Sequence, residues 1–291
     1  MNVVLQNDAV RAEITDAGAE LVSFRRKDTG CEYIWNGDTA IWSGHAPILF
    51  PIVCALENGE TKIEGKTYKI GNHGFAKKSL FAIASSGETS ADFRLVSNTD
   101  TLAMYPYPFS LTIRYTLEAN TLSIAYIVEN TGSIPMFFQI GTHPGFNCPL
   151  EAGLSYTDYS LDFSDAETLD AFSMNGANVI IPGISRNLLN GGKKLPLSFE
   201  LFEKGALVFK AIKSNRITLR SEKSKRSVVL SFDKFPSLGL WNNKKAPYVC
   251  IEPWHGLADE EGSGGNFRTK AYLVELAPRA SYDCVHAIEI N

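Results

Sequence analysis

The chain has 291 residues, of which 44% are hydrophobic and 21% are charged, which is ordinary for a globular protein with an apolar core. Its 28 Lys and Arg residues against 32 Asp and Glu residues give a formal net charge of −4. Nucleic-acid binding is therefore disfavoured, because no basic surplus exists to neutralise phosphates, and a neutral polar substrate fits better.

The N-terminal segment, the apolar runs and the cysteines indicate the cellular compartment. The first residues, MNVVLQNDAVRAEIT, show neither the basic nor the apolar region of a signal peptide. No apolar run approaches the roughly 20 residues that a membrane-spanning helix needs. Five cysteines occur without a CxxC pair, which favours neither a disulfide framework nor a zinc site. We expect reduced thiols, no metal and a cytoplasmic location.

Strand patterns dominate the chain. In chain order, runs of strand length and composition occupy residues 9–15, 18–26, 80–86, 92–96, 109–117, 121–130, 154–163, 207–212, 217–221, 227–232, 248–252 and 270–277. In 109–117 and 121–130 every second residue is apolar, so these two runs predict a hairpin. Helical signals are short: residues 101–105, stopped by Pro106 and Pro108, and residues 197–204.

Turn residues separate these strands at short, regular intervals. This spacing is typical of a large antiparallel β-sandwich or barrel and not of βαβ units. Because the sequence shows no internal repeat and no linker-like stretch, we expect one all-β domain over residues 1–291. Residues 259–266 (DEEGSGGN) predict a flexible surface loop.

Three of the five histidines lie in turns rich in Gly or Pro. They are His73 in NHGFA, His143 in GTHPGFN and His255 in PWHG. A turn at a strand end can project a side chain into a cleft while the sheet fixes its position. For any one histidine, the simpler interpretation is a ring that caps its turn by a hydrogen bond.

Glu252 follows the β-forming residues 248–251, and Pro253 is expected to end that strand because it cannot donate to the ladder. A carboxylate beside Trp254 would lose solvation, which would raise its pKa from about 4.3 toward neutrality. A solvated glutamate at a strand end is the alternative. These residues alone leave both interpretations open.

Six short segments carry a resemblance that spans residues 10 to 290. In chain order they are APILFPIV (46–53), HGFA (73–76), YPYPF (105–109), GTHPGFN (141–147), SLGLW (237–241) and CIEPW (250–254). Together and in this order they resemble the aldose 1-epimerase (galactose mutarotase) family, in particular its LacX-like branch. Each segment alone is a weak signal, whereas six in order are specific.

The resemblance implies a twisted antiparallel β-sandwich with a sugar site, and an isomerase that interconverts the α and β anomers of a free hexose such as galactose or glucose. It assigns Glu252 as the general base, His143 as the general acid and His73 as a hydrogen-bonding partner of the sugar. Such ring opening and closure involves no redox change, so no cofactor is expected. We also expect Trp254 to pack against the sugar, since aromatic faces suit C–H surfaces.

Three positions depart from the family pattern. Lys77 replaces the arginine that usually ends HGFAR, and His45 stands where relatives acting on hexose 6-phosphates tend to carry another arginine. Gly205 stands where many relatives carry a sugar-binding aspartate, for which Glu203 or Asp233 is a candidate substitute. Lysine binds phosphate only as a point charge, so a free sugar is favoured over a phosphosugar, with Lys77, His45, Trp254 and Asp233 as expected substrate contacts.

Other functions remain open at this stage. A hexose-6-phosphate 1-epimerase and a non-catalytic sugar-binding or sensor protein are the alternatives, because fold does not fix function. A glycoside hydrolase ranks lower, since it usually needs two carboxylates about 5–9.5 Å apart and only Glu252 is a strong candidate. We expect a small-molecule sugar as the partner, no nucleic acid or membrane, and a monomer or homodimer.

Overall fold

Strands form most of the protein. The computed structural model describes residues 1–243 and 245–291, which form 22 strands, a short α-helix and five 3₁₀ helices. Fifteen strands belong to one antiparallel sheet. In spatial order, thirteen of them are β4 (Ile48–Leu49), β12 (Ile140–Thr142), β20 (Tyr248–His255), β19 (Ser237–Trp241), β16 (Leu207–Phe209), β14 (Tyr159–Met174), β17 (Arg216–Ser221), β18 (Ser227–Asp233), β22 (Ser281–Ile290), β10 (Thr121–Asn130), β9 (Phe109–Glu118), β8 (Ser90–Val96) and β7 (Ala82–Ser86).

The other strands lie beside this path or in smaller sheets. Within the large sheet, β13 (Gly145–Asn147) pairs with β20, and β15 (Ile180–Pro196) pairs with β14. The smaller sheets are β1 (Asn2–Gln6) with β2 (Val10–Thr15) and β3 (Leu21–Arg26), β5 (Glu60–Ile63) with β6 (Lys66–Lys69), and β11 (Met136–Phe138) with β21 (Val274–Leu276). The predicted all-β fold is confirmed.

Alternating side chains build the core. In β10, Leu122, Ile124, Tyr126 and Val128 are buried, as the period of two predicts. One large apolar cluster unites residues of the three-stranded sheet, such as Phe24, with residues of the large sheet. The two sheets therefore pack on a shared core, which is the sandwich arrangement.

The helical predictions differ in outcome. Residues 101–104 belong to a helix, α1 (Thr99–Met104), which begins with a capping box between Asn98 and Thr101 and has Tyr105 as its C-cap. Residues 197–204 contain only a 3₁₀ turn, Phe199–Phe202. No helix within residues 1–243 and 245–291 has the length and apolarity to cross a membrane.

Pro253 does not end its strand, which contradicts the prediction. β20 continues to His255, and Pro253 pairs with Leu238 of β19. On the other side of β20, the N–H of Ile251 donates to the carbonyl of Pro144. The nitrogen of Pro253 points to that same side of β20. Because the pairing of β20 is interrupted there, between β12 and β13, the missing N–H of proline costs the sheet little.

Residues 259–266 are not a freely flexible loop. Asp259 is buried, and the carboxylate of Glu57 accepts hydrogen bonds from the backbone N–H of Gly262 and Gly264 and from the hydroxyl of Ser263. The segment is polar and mostly exposed, as predicted, but these bonds hold it against the body of the protein.

Candidate active site

A cavity of about 240 Å³ lies where β4, β12 and β20 meet. It is lined by residues of several motifs, including His73, His143, Glu252 and Trp254. Its volume is comparable with that of a single monosaccharide. The structure therefore gathers both predicted histidines and the predicted glutamate around one hollow.

Strand register brings His143 and Glu252 together. Gly141 of β12 pairs with Trp254, and Gly145 of β13 pairs with Cys250. Both pairings share one register. The residue midway between Gly141 and Gly145 therefore lies opposite the residue midway between Cys250 and Trp254. These residues are His143 and Glu252, and the His143 Nε2 atom lies 3.2 Å from the Glu252 Oε2 atom.

Glycines make room for the indole of Trp254. A Cβ atom at Gly239 would lie 2.3 Å from the Trp254 ring, and one at Gly141 would lie 2.8 Å from it. Any larger residue at either position would displace the ring. This explains the glycines in the GTH and SLGLW segments, and it places Trp254 beside Glu252 in the cavity lining.

Aromatic rings surround His143. Its ring centroid lies 5.0 Å from that of Trp42 and 5.5 Å from that of Trp241, and its side chain is 12% exposed. Burial, with a smaller contribution from the charge of Lys77, lowers the pKa of His143 to about 3. Its Nδ1 atom is buried and has no hydrogen-bond partner within the described residues.

Glu252 is only 2% exposed. Burial raises its pKa well above the usual range, and Trp254 and the ammonium of Lys77 counteract this only in part. Its Oε2 atom forms no hydrogen bond with any described residue, although His143 is close. A buried carboxyl oxygen without a partner is costly, and it is a group that a bound hydroxyl would satisfy.

His73 is held in one orientation by Cys54. The backbone N–H of Cys54 donates to the Nδ1 atom of His73 at 3.0 Å, and the backbone N–H of His73 donates to the carbonyl of Cys54 at 2.8 Å. Both residues have a left-handed backbone, with φ of 55° for Cys54 and 62° for His73. Because Nδ1 accepts, the neutral ring carries its hydrogen on Nε2.

The protonation of His73 follows from its surroundings. Burial lowers its pKa well below the usual range, and the nearby His143 and Lys77 lower it further. The His73 ring centroid lies 5.5 Å from that of His143. Burial thus favours the neutral form of His73, whose ring lies close to that of His143.

The expected substrate contacts divide into two groups. Lys77 and Trp254 line the cavity. His45 and Asp233 do not, which corrects the prediction for both. The backbone N–H of His45 donates to Glu20, and its ring lies beside the same carboxylate. Asp233, at the end of β18, lines a separate depression beside Val285.

Several lining residues escaped the sequence analysis. They are Trp42, Cys54, Asn72, Met174, Asn178 and Ala206. Gly205 is not in the lining, and its neighbour Ala206, which is, brings no polar side chain to the cavity. Cys54 and Asn72 adjoin recognised segments, but nothing local to Met174 or Asn178 indicates a site.

One set of donor atoms has the composition of a metal site. Single donor atoms of His143, Cys250 and Glu252 all lie within 4.8 Å of one another. However, burial raises the pKa of the Cys250 thiol well above its usual range, and only a thiolate is a strong ligand. We therefore assign no metal to these residues.

Comparison with known proteins identifies the family. Residues 1–264 match the family model described as aldose 1-epimerase. The chromosomal protein LacX of Lactococcus lactis subsp. lactis is 34% identical over 97% of this chain and 98% of that protein. The chain belongs to the aldose 1-epimerase family. It is thus an isomerase of the class that acts on sugars.

Solved structures of similar proteins share the fold. A galactose mutarotase related enzyme from Lactobacillus acidophilus superimposes with a TM-score of 0.95 at 31% identity, covering 100% of this chain and 97% of that one. A galactose mutarotase-like protein from Lactobacillus casei gives a TM-score of 0.91 at 31% identity, with both chains fully covered. The aldose 1-epimerase fold therefore extends over the whole chain.

Proposed function

We propose that this aldose 1-epimerase homologue interconverts the α and β anomers of a free aldohexose such as galactose or glucose. The observation that carries the proposal is the buried pair of His143 and Glu252, 3.2 Å apart in a cavity of about 240 Å³. Both groups retain an atom without a hydrogen-bond partner in the described part of the chain. An acid and a base in contact are what a hemiacetal requires for ring opening.

The proposed reaction conserves protons. Glu252 takes the proton of the C1 hydroxyl while His143 gives a proton to the ring oxygen O5. The C1–O5 bond breaks, C1 becomes an aldehyde, and rotation about C1–C2 exposes its other face. Ring closure reverses both transfers and yields the other anomer, with the pair restored.

The pair carries one transferable proton throughout this cycle. Burial disfavours both the charged carboxylate and the charged imidazole, so without sugar the proton resides on Glu252. In the proposed mechanism, hydrogen bonds from the sugar to the carboxylate shift that proton to His143. The same environment then favours the return of a neutral pair in the ring-opened state.

The electrostatics of the cavity favour an unphosphorylated sugar. Among the described residues that line it, Lys77 is the one lysine or arginine. A phosphate dianion would normally be bound bidentately by arginine. Here it would meet a single partly buried lysine whose pKa burial already lowers.

The test is the rate of anomer exchange, measured by polarimetry or by NMR exchange spectroscopy on galactose and glucose. The wild type is expected to accelerate exchange. Glu252→Gln and His143→Asn are each expected to remove a factor of about 10²–10⁴. His255→Asn is the matched control, since His255 lies outside the cavity and bonds to Tyr282, and it should retain the wild-type rate.

Other outcomes decide against the proposal. A wild type that binds hexoses but leaves exchange at its spontaneous rate would identify a sugar-binding protein. Faster exchange of hexose 6-phosphates than of free hexoses would assign the phosphosugar instead.

A further inference from the structure

One rim of the cavity is a turn between β14 and β15, residues 175–179, which we call the rim turn. The side-chain oxygen of Asn175 accepts hydrogen bonds from the backbone N–H of Ala177 and Val179, and the N–H of Asn178 donates to the carbonyl of Asn175. Asn178 has a φ of 62°, a conformation that asparagine tolerates. The side chain of Asn175 thus fixes the turn, and the side-chain amide of Asn178 remains available to bind a ligand.

The rim turn is also fixed to the body of the protein. The N–H of Ile180 donates to the carbonyl of Asp259, and the N–H of Glu261 donates to the carbonyl of Ile180, each at 2.9 Å. The side-chain amide of Asn175 donates to Glu261 at 2.7 Å. The position of Asn178 is therefore set before any ligand binds, which reduces the entropic cost of binding.

Asn72 lies on a second segment of the cavity lining, which approaches the rim turn. It precedes His73 in sequence and lines the same cavity as Asn178. Asn72 and Ala177 also line a neighbouring depression of about 480 Å³, so the two segments approach each other between the two hollows. Within residues 1–243 and 245–291, neither the Asn72 nor the Asn178 side chain forms a hydrogen bond.

The chemistry of these amides suits a sugar. An amide offers two donors and an acceptor without charge, which matches hydroxyl groups that both donate and accept. Glu252, His143 and His73 occupy the inner part of the cavity and are assigned to the reacting atoms. Of residues 203–206 only Ala206 lines the cavity, so hydroxyls away from C1 need partners elsewhere.

We propose that Asn72 and Asn178 bind the non-reacting hydroxyls of the aldose and so determine which sugar the site accepts. This inference rests on the proposed function for the identity of the ligand. It adds two specificity residues on separate elements, one beside a catalytic motif and one on the rim turn.

The experiment combines Asn72→Ala and Asn178→Ala with hexoses that lack one hydroxyl, the 2-, 3-, 4- and 6-deoxy sugars. Each variant is expected to raise KM about tenfold for the intact sugar, the value of one or two neutral hydrogen bonds, with a smaller change in kcat. Each variant should also become indifferent to the removal of one particular hydroxyl, which the wild type senses. Asn187→Ala is the control, because its amide lies on β15 and bonds to Asp170.

The outcomes separate this inference from the proposed function. If the wild type does not accelerate exchange, sugar affinity is read instead from the fluorescence of the lining residues Trp42 and Trp241, and the same pattern of affinities supports the inference. If the variants match Asn187→Ala with every sugar, or lower kcat without raising KM, the inference is wrong. A wild type that neither accelerates exchange nor binds a hexose overturns both.

Discussion

Two carboxyl groups near the cavity are equally buried but differ in how they are satisfied. Glu252 is 2% exposed and Asp259 is 6% exposed. The Oε2 atom of Glu252 has no hydrogen-bond partner among the described residues. Asp259 instead forms an ion pair with Lys270 through one oxygen and accepts the backbone N–H of Glu57 through the other.

Under the proposed function, the difference separates a carboxyl that acts in catalysis, Glu252, from one that stabilises the structure, Asp259. A buried carboxyl with unmet hydrogen bonds lowers stability, and such sites persist where function needs them. A fully paired one fixes its surroundings. Asp259 holds the segment that bonds to Ile180, so it positions the rim turn, whereas the Oε2 atom of Glu252 keeps its hydrogen-bonding capacity unused among the described residues.

The largest expected effect comes from breaking the paired site. Lys270→Met leaves the Asp259 carboxylate buried without its cation and should lower the free energy of unfolding by about 3–5 kcal/mol. It should also raise KM more than it lowers kcat, because the rim turn loses its anchor while Glu252 lies on β20 and His143 lies between β12 and β13. Denaturant unfolding and steady-state kinetics measure the two effects.

An exposed ion pair supplies the control for this variant. Lys234 and Asp283 form a pair with side chains 44% and 74% exposed. Lys234→Met should change stability far less than Lys270→Met. Equal losses in the two variants would mean that the buried pair does not hold the rim.

Substitution of Glu252 should raise stability, whereas substitution of Lys270 should lower it. Because burial raises the pKa of Glu252 in the folded protein, this carboxyl favours folding only at pH values below its unfolded pKa of about 4.3. Its contribution falls as pH rises through the raised value, since the unfolded state ionises more readily. Glu252→Gln, which removes the ionisation, should therefore become more stable than the wild type as pH rises.

The size of this gain follows from linkage. It should grow by up to about 1.4 kcal/mol for each pH unit between the unfolded and folded pKa values, less whatever Lys77 and Trp254 compensate. Chemical denaturation of both proteins at several pH values between 4 and 8 measures it. A difference that stays constant with pH would show that Glu252 is ionised in the folded state.

The sequence predicts the inner site better than the rim, and the reason is physical. Glu252 and His143 lie in short segments with a recognisable composition, and one strand register suffices to bring them together. The rim turn and residues 259–261 meet through long-range bonds at Ile180 and Asn175, which no local pattern encodes. β15 was missed altogether because it is exposed along most of its length and pairs through several bulges, so it lacks the alternation that reveals a half-buried strand.

Tertiary context also overrides local rules at particular residues. Pro253 reads as a strand end, yet the interruption between β12 and β13 removes the need for its donor. The family pattern predicts His45 and Asp233 as sugar contacts. In the structure His45 lies beside Glu20, and Asp233, at the end of β18, lines a separate depression. Trp42 lies in no recognised segment, although its ring contacts His143.

The smallest expected effect tests His73, which belongs to the inner site but is fully oriented by the backbone. Its Nδ1 atom accepts from Cys54, so only the Nε2–H donor faces a ligand. The side-chain amide nitrogen of Asn reaches only the position of the histidine Nδ1 atom, whereas that of Gln reaches the position of Nε2. His73→Gln should therefore stay close to the wild type in KM, and His73→Asn should raise KM about tenfold, the worth of one neutral hydrogen bond.

The pH dependence of the same variants sharpens the test. Because burial keeps His73 neutral, the wild type should bind sugar without an inflection near pH 6.5, the ordinary pKa of imidazole. If His73→Asn instead outperforms His73→Gln, the bond to Cys54 matters more than the donor to the sugar. His73 would then resemble Asp259, whose bonds support the structure around the cavity. The inner site would therefore contain both catalytic and structural residues.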